Sequence, residues 1–222
     1  MTDSTPLPPP AAPPATPPAA SPAAPPFLAA ELRALWITPG HACEVLLTDR
    51  ERLAATVAAG PRPWPLVAVL LACTALATIP YGFARGGAAF WKVGALFGGA
   101  TLLCFPSLQV FSAYLGSRLQ PVQNLALSLL VAAVAALFTL GFSPIVWFLG
   151  LTMAKGDWID AGGASVALLA AALFAGLAQL LRCARLHAGL LPCRGSFGLL
   201  LGWMVLLGFV ALRLARELDL LG

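Results

Sequence analysis

The stretch from Gly94 to Trp147 constrains the fold more than any other part of the chain. It carries a single charged residue, Arg118, and that residue falls in the polar turn Gly116-Ser117-Arg118-Leu119-Gln120-Pro121-Val122-Gln123-Asn124. On either side the chain reads as a long apolar helix. A run of about 18 or more apolar residues without charge is the signature of a membrane-spanning helix. The 222-residue chain as a whole, 59% hydrophobic and 10% charged, cannot cover such helices with polar surface. Soluble domains average about 25% charged residues. The deficit here is concentrated in a few long runs, which predicts an all-α polytopic integral membrane protein.

Five spans are expected, at about 66–83, 93–115, 124–147, 164–181 and 197–212, within a transmembrane domain of 64–215 followed by a tail, 216–222. The first begins too late for a cleavable signal peptide, so it serves as its own insertion signal. An odd number of spans places the termini on opposite sides. With the N-terminus inside, Arg33, Arg50, Arg52, Arg62, Arg118, Arg182, Arg185 and Arg194 all fall on the cytoplasmic side. Positive charge follows the cytoplasm, which favours N-in and C-out across a bacterial inner membrane. The third apolar run continues past Ser143-Pro144 to Leu151. It either extends the span or turns back as a re-entrant segment.

Ahead of the spans, residues 1–26 are almost wholly Pro, Ala, Ser and Thr. Such a composition cannot build a core and predicts a disordered tail with polyproline II character. Its PxxP spacings could also dock in an aromatic groove of a partner. Residues 27–63 form a second region, of short amphipathic helices. Leu28, Leu32, Leu35 and Trp36 share one helical face. Thr38 and Pro39 then read as an N-cap and first position, with Val45 and Leu46 facing inward. Thr48-Asp49-Arg50-Glu51 reads as a capping box opening a third helix to Ala59. These helices form either a packing platform under the spans or a set of interfacial helices on the headgroups.

The motifs of hydrolytic, nucleotide-binding and metal-dependent enzymes are absent from the sequence, and no catalytic, cofactor-binding or metal-ligating residue is assigned. Cys183, His187 and Cys193 lack a fourth ligand and sit among arginines that repel a cation. The five cysteines form no CxxC pair; Cys73 and Cys104 fall in spans, where they pack as small apolar side chains. The net charge of +4 is not gathered into a block that would bind nucleic acid. No ionisable residue lies inside a span, where a charge would mark an ion path. The span polar residues, Ser107, Gln109, Ser112, Thr139, Ser143 and Gln179, are expected to hydrogen-bond between helices. Candidate intramembrane hinge or site residues are Pro106, Ser107, Gln109, Ser143 and Pro144, and an intramembrane site would lie between Pro106, Gln109 and Ser143. Gly94-xxx-Gly98 and Gly198-xxx-Gly202 are close-approach spacings that suit packing within the monomer or a homo-oligomer.

Several segments carry a family resemblance: Trp36-Ile37-Thr38-Pro39, Cys43-Glu44-Val45-Leu46-Leu47 and Arg62-Pro63-Trp64-Pro65-Leu66 before the spans, then Pro106-Ser107-Leu108-Gln109-Val110-Phe111 and Ser143-Pro144-Ile145-Val146-Trp147-Phe148 within them. Over about 35–212 the chain resembles bacterial relatives of the Yip family, five-span proteins whose eukaryotic members interact with Rab-type GTPases. The eukaryotic Asp-Leu-Tyr-Gly-Pro motif is absent, so GTPase binding is not carried over. The expected function is a non-enzymatic membrane-organising or scaffold component. It would sit in the lipid bilayer and engage protein partners through its N-terminal region. The alternative is a small-solute or lipid transporter or permease subunit, with Pro106 and Pro144 breaking helices around a site near mid-membrane.

Overall fold

The computed structural model describes residues 25–59, 63–85, 90–114, 119–152, 161–186 and 196–220. The chain order is α1 Ala29–Ile37, α2 Pro39–Thr48, α3 Arg50–Ala59, α4 Trp64–Ala84, α5 Phe90–Tyr114, α6 Pro121–Thr152, α7 Ala161–Leu186 and α8 Ser196–Glu217. The described residues form helices and connections, without strands. Four helices are long and apolar enough to cross a membrane: Trp64–Ala84, Phe90–Tyr114, Pro121–Thr152 and Gly163–Cys183. The predicted fifth span corresponds to α8, a 22-residue helix that packs against α5. Most of the Pro-rich tail, the loop with Lys155, Asp157 and Asp160, and the basic segment with His187, Cys193 and Arg194 lie outside the described residues.

At the centre stands α6, which packs on α4, α5 and α7. Residues Val131 to Leu137 are all buried, so this helix is enclosed on every side. Its sequence permits that because Ala126, Ala132, Ala133, Ala135 and Ala136 let neighbouring backbones come close. The helix runs unbroken through Pro144 to Thr152, so 141–151 continues the third span and is not re-entrant. At 32 residues and 1.5 Å per residue it is about 48 Å long, enough to cross the hydrocarbon core and both headgroup layers. Its neighbour α4 has 21 residues, about 31 Å, which matches the hydrocarbon core alone.

The short helices are a packing platform. Leu32, Leu35, Ala42, Val45, Leu46, Leu53 and Val57 share one core with Leu66 and Leu70 of α4, Leu129 and Leu130 of α6 and Cys183 of α7. Val45 and Leu46 face inward as the pattern predicts. Leu28 does not: it is the N-cap residue of α1 and is exposed, and Phe27 is buried in its place. The Leu28 amide donates to Glu31 Oε2 at 2.8 Å, one half of a capping box. Thr38 holds the N-cap position of α2 ahead of Pro39, as expected, but its hydroxyl does not cap that helix. Its hydroxyl donates back to the Ala34 carbonyl at 3.1 Å and closes α1, as short hydroxyl side chains do when an orphan carbonyl is within reach. Thr48 is the last residue of α2 rather than the cap of α3, and Asp49 forms the junction.

Arg52 ties the start of the platform to its third helix. Its guanidinium reaches both carboxylate oxygens of Glu31, at 3.1 and 3.0 Å, and sits 4.0 Å over the Phe27 ring. The Phe27 amide donates to Thr56 Oγ1 at 2.9 Å. The Leu28 amide first, and then the Arg52 guanidinium, hold the Glu31 carboxyl below its ordinary range.

Candidate functional site

The nominated polar residues do not converge. Gln109, in the last two turns of α5, pairs across the turn with Asn124 in the first turn of α6. Asn124 Nδ2 donates to Gln109 Oε1 and to Ser112 Oγ, both at 2.7 Å. The Asn124 side chain is 2% exposed, so these bonds replace water that cannot enter. Ser143 and Pro144 lie nineteen residues further along α6, about 28 Å away. There they border an open depression with Pro80, Phe83, Ala84 and Trp147. The expected site between Pro106, Gln109 and Ser143 is therefore two separate places, one at each end of the bundle.

The serines and Thr139 serve their own helices, contrary to the interhelical role expected of them. Ser107 Oγ donates to the Cys104 carbonyl at 2.6 Å, Thr139 Oγ1 to Ala136 at 2.7 Å and Ser143 Oγ to Leu140 at 2.8 Å. These side chains are short enough to reach the carbonyl one turn back and too short to cross to a neighbour. Ser143 has a specific reason. Pro144 has no N–H to give the carbonyl four residues earlier, which is that of Leu140. The Ser143 hydroxyl supplies the missing donor, and α6 passes through the proline intact. Ser112 does both: its hydroxyl donates to the Gln109 carbonyl at 3.0 Å and accepts from Asn124.

At the platform end, side-chain amides bond the spans to the platform helices. Gln123 Nε2 donates to the Val57 carbonyl at 2.7 Å, and its Oε1 accepts from the Gln120 amide at 2.7 Å. Gln179 Nε2 donates to the Leu46 carbonyl at 3.3 Å. Val57 and Leu46 stand in the last turns of α3 and α2, whose terminal carbonyls have no partner within their helices. Two glutamines from the spans thus complete the C-terminal ends of two platform helices. With the Gln109–Asn124 pair, they concentrate the amide hydrogen bonding at the platform end of the bundle. Gln123 and Asn124 were legible only as turn residues, because their partners are distant in sequence or across the turn.

The opposite end is built differently. Tyr81, fully buried, donates its hydroxyl to the Ser165 carbonyl at 2.7 Å and lies 2.9 Å from Ser165 Oγ, joining α4 to α7. Arg85 Nη1 donates to the Leu220 carbonyl at 2.8 Å. Further along α8, Trp203 Nε1 donates to the Cys104 carbonyl of α5 at 3.0 Å. Between α7 and α8, floored by α5, lies an apolar cleft of about 340 Å³. Its walls include Val166, Leu169 and Phe174 of α7 and Gly208, Ala211 and Leu212 of α8. Titratable side chains are missing from its lining. Cys183 is buried in the core shared with the platform, and its proposed companions His187 and Cys193 are outside the described residues. The polar side chains named above are engaged in structure, and the cleft between α7 and α8 offers apolar surface.

Compared with protein-family models, with curated proteins and with solved structures, the chain shows no significant match.

Proposed function

We propose that this chain is a non-enzymatic membrane-organising or scaffold protein that engages protein partners through its N-terminal region. In this reading α8 is the fifth span of a bacterial inner-membrane protein related to the Yip-like group, with the N-terminus in the cytoplasm and the C-terminus outside. The supporting observation is the platform. Its helices are fixed to the spans by a shared core and by Gln123 and Gln179. Its exposed residues include Leu28 and Ile37, the latter 82% accessible, and the polar Arg33, His41 and Glu44. A platform held rigidly on a bundle, with a Pro-rich segment leading into it at Phe27, suits a surface that recruits other proteins to the membrane. Arg182 lies near the α7 end that carries Gln179, on the platform side, in keeping with a cytoplasmic N-terminus.

The test leaves the shared core intact. Deleting residues 1–24 and introducing Ile37→Glu should remove co-purifying partners from cross-linked native membranes while the protein inserts normally. An unchanged set of partners would sink the scaffold reading. A lipid-handling role is the second reading, and the apolar cleft between α7 and α8 is the observation that favours it over transport of a polar solute.

A further inference from the structure

We infer that the cleft between α7 and α8 is a binding site for one acyl chain of an anionic phospholipid, with the phosphate held at the mouth beside Arg85. The cleft has the position and depth this requires. Along α7 its wall runs from Val166 to Leu177, about 16 Å, which is half of the roughly 30 Å hydrocarbon core. It therefore spans one leaflet. Its upper end is closed by Leu220, where the chain turns back after α8. The Leu220 amide donates to the Ala215 carbonyl at 2.9 Å, and Asp219 takes the left-handed conformation that this turn needs.

That end lies at the membrane surface. Phe83 and Phe90 stack there at 5.5 Å between ring centroids, and Trp91 and Trp147 are exposed around them, forming an aromatic belt of the kind found at headgroup level. Arg85 reaches the cleft's own rim through its bond to the Leu220 carbonyl. Lys92 and Arg216 add positive charge on this side. Among the described acidic residues at this end, Glu217 is paired with Arg213 at 3.3 Å, and Asp219 is the other. The balance of these described charges favours an anion.

The lining explains why a lipid tail would stay. In a bilayer there is no water to drive apolar groups together, so retention depends on packing. A groove whose walls do not touch leaves atoms without partners on one side. A flexible hydrocarbon chain entering from the lipid supplies those contacts, and the small residues Ala170, Gly208, Ala211 and Ala215 leave room for it. A Cβ added at Gly208 would meet no atom within 4 Å, so this position borders open space. The site is independent of the N-terminal surface proposed above, and the two can fail separately.

The experiment uses the full chain in lipid nanodiscs containing phosphatidylglycerol with a diazirine in its acyl chain. Illuminated samples are digested and adducts mapped by mass spectrometry. Adducts should gather on α7 and α8 around Phe174 and Leu212, several-fold above those on the lipid-facing Leu102 and Leu103 of α5. Gly208→Phe should reduce the cleft adducts several-fold and leave those at Leu102 and Leu103 unchanged. Replacing the probe by its phosphatidylcholine counterpart should weaken cleft labelling. Even labelling of all exposed faces in the wild type overturns the proposal, and that result needs no variant. So does labelling insensitive to Gly208→Phe, or cross-linking that places α7 against α8 or a second copy of this chain in the cleft.

Discussion

Gly176→Ala should destabilise the protein although the same substitution at an open helical site stabilises. In a helix interior, replacing Gly by Ala is ordinarily favourable by about 0.5–1 kcal/mol. Gly176, however, is where α7 meets α6. A Cβ there would run into the Val131 carbonyl oxygen and would lie 3.2 Å from Val131 Cγ1 and 3.3 Å from the carbonyl carbon. The obstacle is backbone in the fully buried part of α6, so it cannot rotate aside as a side chain would. The two helices must part by roughly 1 Å, and a gap of that order forfeits a quarter to a half of each contact worth about 0.1–0.2 kcal/mol. Spread over some fifty atom pairs along the interface, the loss is about 2–4 kcal/mol, and about 1–3 kcal/mol after the gain in helix propensity, in line with overpacking costs elsewhere. Unfolding by SDS titration from mixed micelles measures the difference. Gly141→Ala is the control, because a Cβ there meets nothing within 4 Å. If Gly176→Ala proves as stable as Gly141→Ala, the close approach of α6 and α7 described here is wrong.

Two further outcomes follow from the hydrogen bonding. Asn124→Ala removes both interhelical donors to Gln109 and Ser112 and should cost about 1–3 kcal/mol in the same unfolding assay. Adding Gln109→Leu should cost less than in the wild type, with a coupling of about 0.5 kcal/mol or more in a double-mutant cycle; strict additivity would show that the pair does not interact. Glu31 is predicted to make platform stability depend on pH. Its carboxyl is held below its ordinary value of 4.5, so its contribution is full above that value and fades as pH falls through the lowered one. The Tm difference between wild type and Glu31→Gln should therefore be present at pH 7 and shrink in acid. A difference that is constant or grows in acid contradicts the assigned contacts.

The spans were legible because their signal is local. Charge-free length alone identifies α4 to α7 and marks α8 as the remaining long helix, and Pro39 opening α2 follows from the dihedral that proline fixes. The N-terminal helices were legible in pattern but off at their ends. Phe27 takes the buried place expected of Leu28, and the Thr38 hydroxyl serves α1 instead of α2, because competing carbonyls one turn apart decide where a short side chain bonds. Glycine spacing does not mark the tightest approaches within the monomer. Gly98, Gly198 and Gly202 border open space, and only Gly94 of the two motifs approaches a neighbour, Thr78 Oγ1 at 3.0 Å from an added Cβ. Gly176 and Gly82, which belong to neither motif, carry the tightest approaches. Which glycine meets a backbone depends on helix rotation, and rotation is set by long-range contacts that a spacing does not record.

Those contacts also explain why the polar residues sit where they do. Lipid tails are as apolar as the helices, so apolar surface alone does not choose one rotation of a span over another. Directional bonds do, and they are costly to leave unmade where water is excluded. At the platform end Gln109 and Asn124 fix α5 against α6, Gln123 fixes α6 against α3, and Gln179 fixes α7 against α2. At the far end Tyr81 fixes α4 against α7. Trp203 bonds α8 to α5 and Arg85 bonds Leu220 just beyond α8, and neither bond joins α8 to α7. The bundle is thus determined most fully beneath the platform and least between α7 and α8. A rigid end suits the partner-binding surface proposed above, and the gap lies between two helices that share none of the hydrogen bonds described here. The same distribution of hydrogen bonds therefore accounts for the fixed platform and for the apolar cleft that we propose takes an acyl chain.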